Sequence, residues 1–481
     1  MSEQIKVLFL AAEADPFVKV GGLGDVAGSL PRALRALDPD LTDNISLDVR
    51  LALPFHPVLR SKVSSLRPLE PFPLQRSGEE VIVEVFETSL DDMPVYLIGG
   101  GPIDASSSVY SAKLDTDSEK YAYFSFAALG LIKLLDWHPD VVHSNDWHTA
   151  LAAYGLLVQH WQEGQPRPAS VVTVHNLPFL GPDVDSVLES YGVPLAQTDL
   201  PDWARLKPLP LGLWAADAIV AVSPTYADEM LSVDYGSGLD EFLKTRRENL
   251  TGILNGLDVD SFDPSTDPDI AAQYSIDLLN ERATNKTALT KQFGLLSNQG
   301  IPLLGVVSRM DQQKGIDLVL AGLRKLGKVS WQAIILGTGD PKLEESARKL
   351  AEDFPERVCI ETKYDARLAR QIYAGADIFL MPSRYEPCGL SQMIAMRYGC
   401  VPVVRAVGGL HDSVTDGETG FVFIKPKVKD FVAVIHRALA KYEDKETWRT
   451  LQRNGMNQDF SWTSSAQKYF KLYQRLISNR T

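Results

Sequence analysis

"IKVLFLAAE", residues 5–13, runs after a short "ADPFV" into "KVGGLGDVAG", residues 19–28. A continuous apolar run of strand length, handed through a glycine-rich turn to helically spaced apolar residues, is the first half of a βαβ unit. The rhythm recurs along the chain. "LDVRLALP", "EVIVEVFE", "MPVYLIGG", "DVVHSND" and "SVVTVHN" follow in the first half, then "PLLGVVSRM", "QAIILGTG", "VCIETK", "DIFLMPS" and "VPVVRAV" in the second, with amphipathic stretches such as "PKLEESARKLAEDF" between them. Most of these runs are apolar throughout, as strands covered on both faces must be, so the expected class is α/β with parallel sheets. "EVIVEVFE" alternates instead and reads as an antiparallel edge strand.

At 481 residues and 45% hydrophobic content the chain exceeds one ordinary core and can fill two. Asp, Pro, Gly and Ser crowd together in "NGLDVDSFDPSTDPD", residues 255–269, which marks a domain boundary. The tail "WTSSAQKYFKLYQRLISN" has helical spacing and is expected to pack back on the first domain. Two polar segments, "SLRPLEPFPLQRSGEE" and "GGGPIDASSSVYSAKLDTDSE", read as long loops of the first domain, the second a candidate for function.

With 48 Lys plus Arg against 62 Asp plus Glu, the net charge of −14 opposes general attraction to nucleic acid or anionic membranes. A bound phosphate must therefore meet a local positive pocket. Cys359, Cys388 and Cys400 form no CxxC pair and are odd in number, which points to a reducing compartment. The opening "MSEQIKVLFL" is too short to span a bilayer and shows no cleavage site, so a cytoplasmic location is expected.

In open α/β sheets, ligands gather at the carboxyl ends of strands, where backbone amides favour anions. Candidate residues sit at such ends. Gly21 and Gly22 permit close backbone approach, Lys19 offers a cation, and Asp25 either caps the following helix or accepts a hydroxyl; tight packing explains such a turn equally well. "HSNDWHTA" sets His143, Asp146 and His148 in one turn, but their spacing matches no zinc motif and hydrogen-bonded structural roles account for them, so no metal is implied. His175 and Asn176 close the next strand and can bond sugar hydroxyls. Arg309 and Lys314 in "SRMDQQKG" either straddle a diphosphate or form a solvated surface pair. Glu386, at a strand end before Cys388-Gly389-Leu390-Ser391, either caps a helix or holds hydroxyls while the helix amides hold phosphate.

Taken in order, "KVGGLGDVAGSLP", "DVVHSNDWHTAL", "TVHNLPFLG", "AVSPTYADEM", "GILNGLDVDSFDP", "NKTALTKQFGL", "VSRMDQQKGIDL", "PSRYEPCGLSQMIAMRYGCVPVVRAVGGLHDSV" and "DGETGFVF" resemble the motifs of bacterial glycogen synthases and plant starch synthases over nearly the whole chain. The resemblance implies a glycosyltransferase B fold, two Rossmann-like domains facing across a cleft: residues 1–254 on the acceptor side, a hinge at 255–264, a nucleotide-sugar domain at 265–458, and a C-terminal helix within 459–481. It implies transfer of glucose, with retention, from ADP-glucose to the nonreducing end of an α-1,4-glucan, without a cofactor or metal. Carried over, Lys19, Gly21 and Gly22 meet the donor's phosphates and glucose, Glu13 and Asp25 support that lobe, Asp146 and Asn176 belong to the substrate-binding set, and His175 lies beside the transferred glucose. Arg309 and Lys314 stabilise the departing diphosphate, Glu386 with Cys388, Gly389, Leu390 and Ser391 holds the sugar, and Tyr364 lies against the base. The chain departs from the family at Asn145, where a second histidine is frequent, at "PFLG" after His175–Leu177, in "PDWARLKPLPLGLW", and in the loop at 99–119. These departures leave two alternatives: a same-fold glucosyltransferase using UDP-glucose or a small acceptor, and a catalytically silent glucan-binding protein.

Overall fold

The computed structural model describes residues 4–63, 65–164 and 166–480. It divides into two units, one running to Gly256 and rejoined from Trp462 onward, the other Leu257–Ser461. No helix among the described residues is long and apolar enough to cross a membrane.

In the first unit the strands are β1 (Gln4–Leu10), β2 (Ser46–Pro54), β3 (Arg67–Pro68), β4 (Phe72–Arg76), β5 (Glu79–Leu90), β6 (Met93–Gly99), β7 (Val141–Asn145), β8 (Ala169–Val174), β9 (Ala218–Ala221) and β10 (Leu250–Gly252). They form one sheet in the order β10-β9-β8-β7-β1-β2-β6-β5-β3, with β4 beside β5. From β10 to β6 every pairing is parallel; β5 runs antiparallel to β6, β3 and β4. The uninterrupted apolar run of β1 is explained by two cores. Val7 and Phe9 pack with Leu30, Leu34 and Phe470 on one face, while Leu8 and Leu10 pack with Tyr123, Phe124 and Leu131 on the other.

Three expectations need correction. "EVIVEVFE" is antiparallel as its alternation suggests, but it is not an edge, because it carries β6 as well as β3 and β4. The segment expected as a loop before it supplies those two short strands; Phe72, Leu74 and Arg76 alternate half-buried against exposed neighbours as they pair with β5. The loop at 99–119 also contains a short helix, Gly101–Asp104, and the start of the helix Leu114–Leu134.

The second unit is a six-stranded, all-parallel sheet built from β11 (Leu303–Val307), β12 (Gln332–Leu336), β13 (Val358–Glu361), β14 (Ile378–Met381), β15 (Val401–Arg405) and β16 (Phe421–Phe423), in the order β13-β12-β11-β14-β15-β16. Residues 257–264 group with this unit. Leu257 N donates to the Phe460 carbonyl at 2.6 Å, Arg370 donates to the Ser261 carbonyl at 2.6 Å, and Arg397 pairs with Asp263 at 3.1 Å. The chain therefore passes between units at 256–257 and again at 461–462.

The helix Trp462–Ser478 buries Trp462, Tyr469, Phe470 and Tyr473 in the first unit's core. Its anchor is polar. His143, fully buried in β7, bonds Tyr473 Oη through Nδ1 and Thr173 Oγ1 through Nε2, both at 2.7 Å. Tyr473→Phe strands one imidazole nitrogen in the core and should cost about 1–3 kcal/mol in chemical denaturation; an unchanged midpoint would show that this helix is held by apolar contact alone.

Candidate active site at the two switch points

Each sheet reverses its strand order once. In the first, the chain fills β1, β2 and β6 to one side and then returns to β7 on the other side of β1; in the second, β11, β12 and β13 are followed by a return to β14 beside β11. Crossovers leave neighbouring strands in opposite directions there, so the space beyond the carboxyl ends stays open to a ligand. The loops leaving β1, β7, β11 and β14 hold most of the charged residues singled out from the sequence.

Beyond β1, the Glu13 carboxylate is buried and accepts from the backbone N–H of Val20 and, at 3.0 and 3.1 Å, of Gly21, while Tyr110 Oη donates to it at 3.0 Å. Burial pushes its pKa above the ordinary carboxylate value, and these hydrogen bonds oppose the shift. Glu13 thus shapes the glycine turn. Lys19 Nζ donates to Asp25 Oδ1 at 2.5 Å, both side chains partly exposed, and the helix Gly22–Arg35 begins after Gly21 without a side-chain cap. Two of its glycines have different causes. A Cβ on Gly28 would strike the Asp15 carbonyl, a packing requirement, whereas a Cβ on Gly22 would meet nothing within 4 Å. Only packing at Gly28 accounts for a missing side chain; at Gly22 the open space suits a ligand.

Beyond β7 and β8, Asp146 has φ +53° and accepts the main-chain N–H groups of His175 at 2.7 Å and Asn176 at 3.3 Å. Burial raises its pKa to about 7. His175 Nε2 lies 2.9 Å from Asn145 Oδ1, and burial lowers the imidazole's pKa to about 3, so the ring is neutral. Asn176 Oδ1 is buried without a hydrogen-bond partner, an acceptor available to a hydroxyl. His148 packs among the rings of Trp147, Tyr110 and Tyr121, tilted to the first two and edge-on to the third.

Beyond β11 and β14, Lys314 Nζ donates to both oxygens of the buried Glu386, at 2.9 and 2.7 Å, and Ser383 Oγ donates to the same carboxylate at 3.0 Å. Arg309 is 69% exposed and makes a 3.5 Å ion pair with Asp311, so its guanidinium is open to an anion. Asp311 also accepts the Lys314 N–H at 2.8 Å, fixing the turn. Gly408 and Gly409 clamp the loop around Glu386: a Cβ on either would strike the carbonyl of Glu386 or Cys388, and Gly409 N donates to the carbonyls of Glu386 and Pro387 at 3.1 Å. Cys388 is buried, Gly389 has φ +73°, and Leu390 and Ser391 lead into the seven-residue helix Ser391–Arg397. Tyr364, 88% exposed, stands on the turn after β13, outside the two loops that flank this switch point.

Starch synthase catalytic domains match residues 6–245, and the glycosyl transferase group 1 family matches residues 289–455. A glycogen synthase of Anaeromyxobacter sp. is 40% identical over 98% of this chain and all of its own length, and one from Bacillus cereus is 38% identical over the same shares. The chain belongs to the glycogen and starch synthase family. Among solved structures, the catalytic domain of Arabidopsis thaliana starch synthase IV, bound to ADP and acarbose, superposes with a TM-score of 0.86 at 32% identity, covering 99% of this chain and all of that one. Sucrose-phosphate synthase from Thermosynechococcus elongatus, with a TM-score of 0.62 at 20% identity, shares the fold. The two Rossmann-like units are those of a glycosyltransferase B enzyme.

The structure adds synthase residues that the sequence did not point to. Ser383 completes the cage of Glu386, Tyr110 ties the loop at 99–119 to Glu13, and Asn145 faces His175. Only Asn145 carried a local signal, its departure from a family motif; Tyr110 and Ser383 act across 97 and 3 residues through contacts that no spacing announces.

The glycine analysis predicts a split. Gly28→Ala should lower the denaturation midpoint, while Gly22→Ala should leave it within about 0.5 kcal/mol and weaken nucleotide-sugar binding in calorimetry; equal behaviour of the two would mean that both glycines only pack. Acid should also weaken the first unit. Burial lowers His56 to about 4, His143 and His175 to about 3, and His148 well below its usual value. An unfolded histidine binds its proton near 6.5, so each costs up to about 1.4 kcal/mol per pH unit as pH falls from there toward 4. Asp146 and Glu13, raised in the fold, take up protons first and act in the opposite sense, but they are two against four. The urea midpoint at pH 5 should lie below that at pH 7.5; a higher value would mean that these rings are charged in the fold.

Proposed function

We propose that this synthase transfers glucose, with retention, from ADP-glucose to the nonreducing end of an α-1,4-glucan. The observation that carries the reading is the pairing of Lys314 with Glu386 beside the exposed Arg309, at the switch point of the second sheet. A nucleoside diphosphate leaving glucose gains charge, and two cations on one turn stabilise it. Lys314 has three donors, so it can hold Glu386 while it bonds a phosphate oxygen. Glu386, oriented by Lys314 and Ser383, accepts from the sugar's hydroxyls. In the first unit, Lys19 with the glycine turn at Gly21 and Gly22 approaches the donor, and His175 and Asn176 face the glucose. The ADP in the starch synthase IV structure supports the adenine nucleotide, and Tyr364 offers an exposed ring for the base.

Retention needs either a carboxylate nucleophile on the far face of the sugar or entry of the acceptor on the face the diphosphate leaves. The buried carboxylates at the two switch points are already committed: Glu13 to the glycine turn, Asp146 to two main-chain N–H groups, Glu386 to Lys314 and Ser383. We favour same-face entry, with a phosphate oxygen taking the acceptor's proton. Three cysteines without a disulfide fit a cytoplasmic enzyme.

Glycogen incubated with ADP-glucose should be elongated, with the new linkage α by NMR, and faster than with UDP-glucose. Transfer to a small acceptor with no glucan elongation would overturn the acceptor assignment. Lys314→Ala and Glu386→Ala should each lose about 3 kcal/mol or more of transition-state stabilisation, read as kcat, in variants that still fold; unchanged turnover would remove the assigned role.

A further inference from the structure

Asn145 ends β7 with its side chain fully buried, and it joins three successive positions in the sheet. Its Nδ2 donates to the carbonyl of Leu10, the last residue of β1, at 2.9 Å. A carbonyl oxygen can only accept, so the amide's orientation is decided by chemistry and Oδ1 must be the atom turned toward His175, just past β8, at 2.9 Å. The backbone of Asn145 is held as well: its N–H donates to Thr149 Oγ1 at 2.6 Å, and that hydroxyl donates back to its carbonyl at 2.9 Å. An amide oxygen has no proton to give. The ring nitrogen facing it must therefore carry one.

We propose that Asn145 is a positioning residue that sets the tautomer of His175, holding the proton on Nε2 and leaving Nδ1 as the ring's acceptor for a substrate hydroxyl. No other group on the surrounding elements competes for that choice. Asp146 spends Oδ1 on the main-chain N–H groups of His175 and Asn176, His143 is satisfied by Tyr473 and Thr173, and His148 is packed among aromatic rings. Glu13 is turned to the glycine loop. A histidine in place of Asn145 could donate or accept and would leave the tautomer open; the amide, anchored on Leu10, cannot. The neutral state of His175 is consistent with this arrangement, since burial disfavours the imidazolium. The use of Nδ1 by substrate rests on the proposed function; the tautomer does not.

The test separates the two. Long-range ¹⁵N NMR of the histidine-labelled full chain, with His175 assigned by its loss in His175→Gln, should show the proton on Nε2 with no substrate present. Asn145→Asp has the same shape and also accepts from the ring, though it gives up the N–H that the Leu10 carbonyl receives; it should keep that tautomer but raise the ring's pKa by about one unit or more, and the acid limb of kcat should move up with it. Asn145→Leu should lose the Nε2–H signature and lower kcat about tenfold, with little change in KM for glucan. A proton on Nδ1 in the native chain, or an unchanged tautomer in Asn145→Leu, overturns the proposal. Should Asn145→Leu not fold, the native spectrum and Asn145→Asp still decide. Tautomers that respond as expected while transfer is unaffected would uphold the role of Asn145 and count instead against His175 at the sugar.

Discussion

Parallel strands must be re-entered from the same end, and that constraint shapes both halves of this enzyme. Every crossover returns over a face of the sheet, so the carboxyl ends of all parallel strands in a unit collect on one side, and a reversal of strand order is the one place where the loops part rather than crowd together. Each unit makes this reversal once, at β1/β7 and at β11/β14. Glu13, Lys19, Arg309, Lys314 and Glu386 sit on loops leaving three of those strands, and Asp146 opens the helix that follows β7 directly.

Within those loops the charges are held in place before any ligand arrives. Glu13 is fixed by two amides and a phenol, Asp146 by two amides, and Glu386 by an ammonium and a hydroxyl. A buried carboxylate without such partners would take up a proton or open the loop, so each bond serves stability and orientation together. Arg309 is the contrast. It lies on the exposed face of its turn, and a long side chain with freedom to move suits the role proposed for it, following a leaving diphosphate.

Four histidines of the first unit, three buried and His175 half-buried, show how one residue type takes several parts. His143 joins the C-terminal helix to the sheet, His148 packs in an aromatic cluster, His56 bonds the Ala12 carbonyl at 3.3 Å, and His175 lies beyond the end of its strand beside Asn145 and Asn176. Their sequence context is similar, a polar residue near a strand end. Burial and partner decide which of them supports the fold and which can meet a substrate.

Much of the architecture was legible in the chain itself. Uninterrupted apolar runs such as "IKVLFLAA" and "PLLGVV" require cover on both faces, and that alone implies parallel sheets; the motifs around Lys19, Lys314 and Glu386 carry the family because short loops bind by local backbone shape. What the residues could not disclose depends on partners far away in sequence. "PFPLQR" reads as loop until β5 offers it hydrogen bonds, Tyr110 finds Glu13 only when its loop folds down, and Asn145 acquires an orientation only because the Leu10 carbonyl is within reach. Local pattern determines which face is buried and where a turn falls, since both depend on near neighbours; tertiary structure decided which atom of a side chain points at which, since that is settled by whatever the rest of the chain brings into contact.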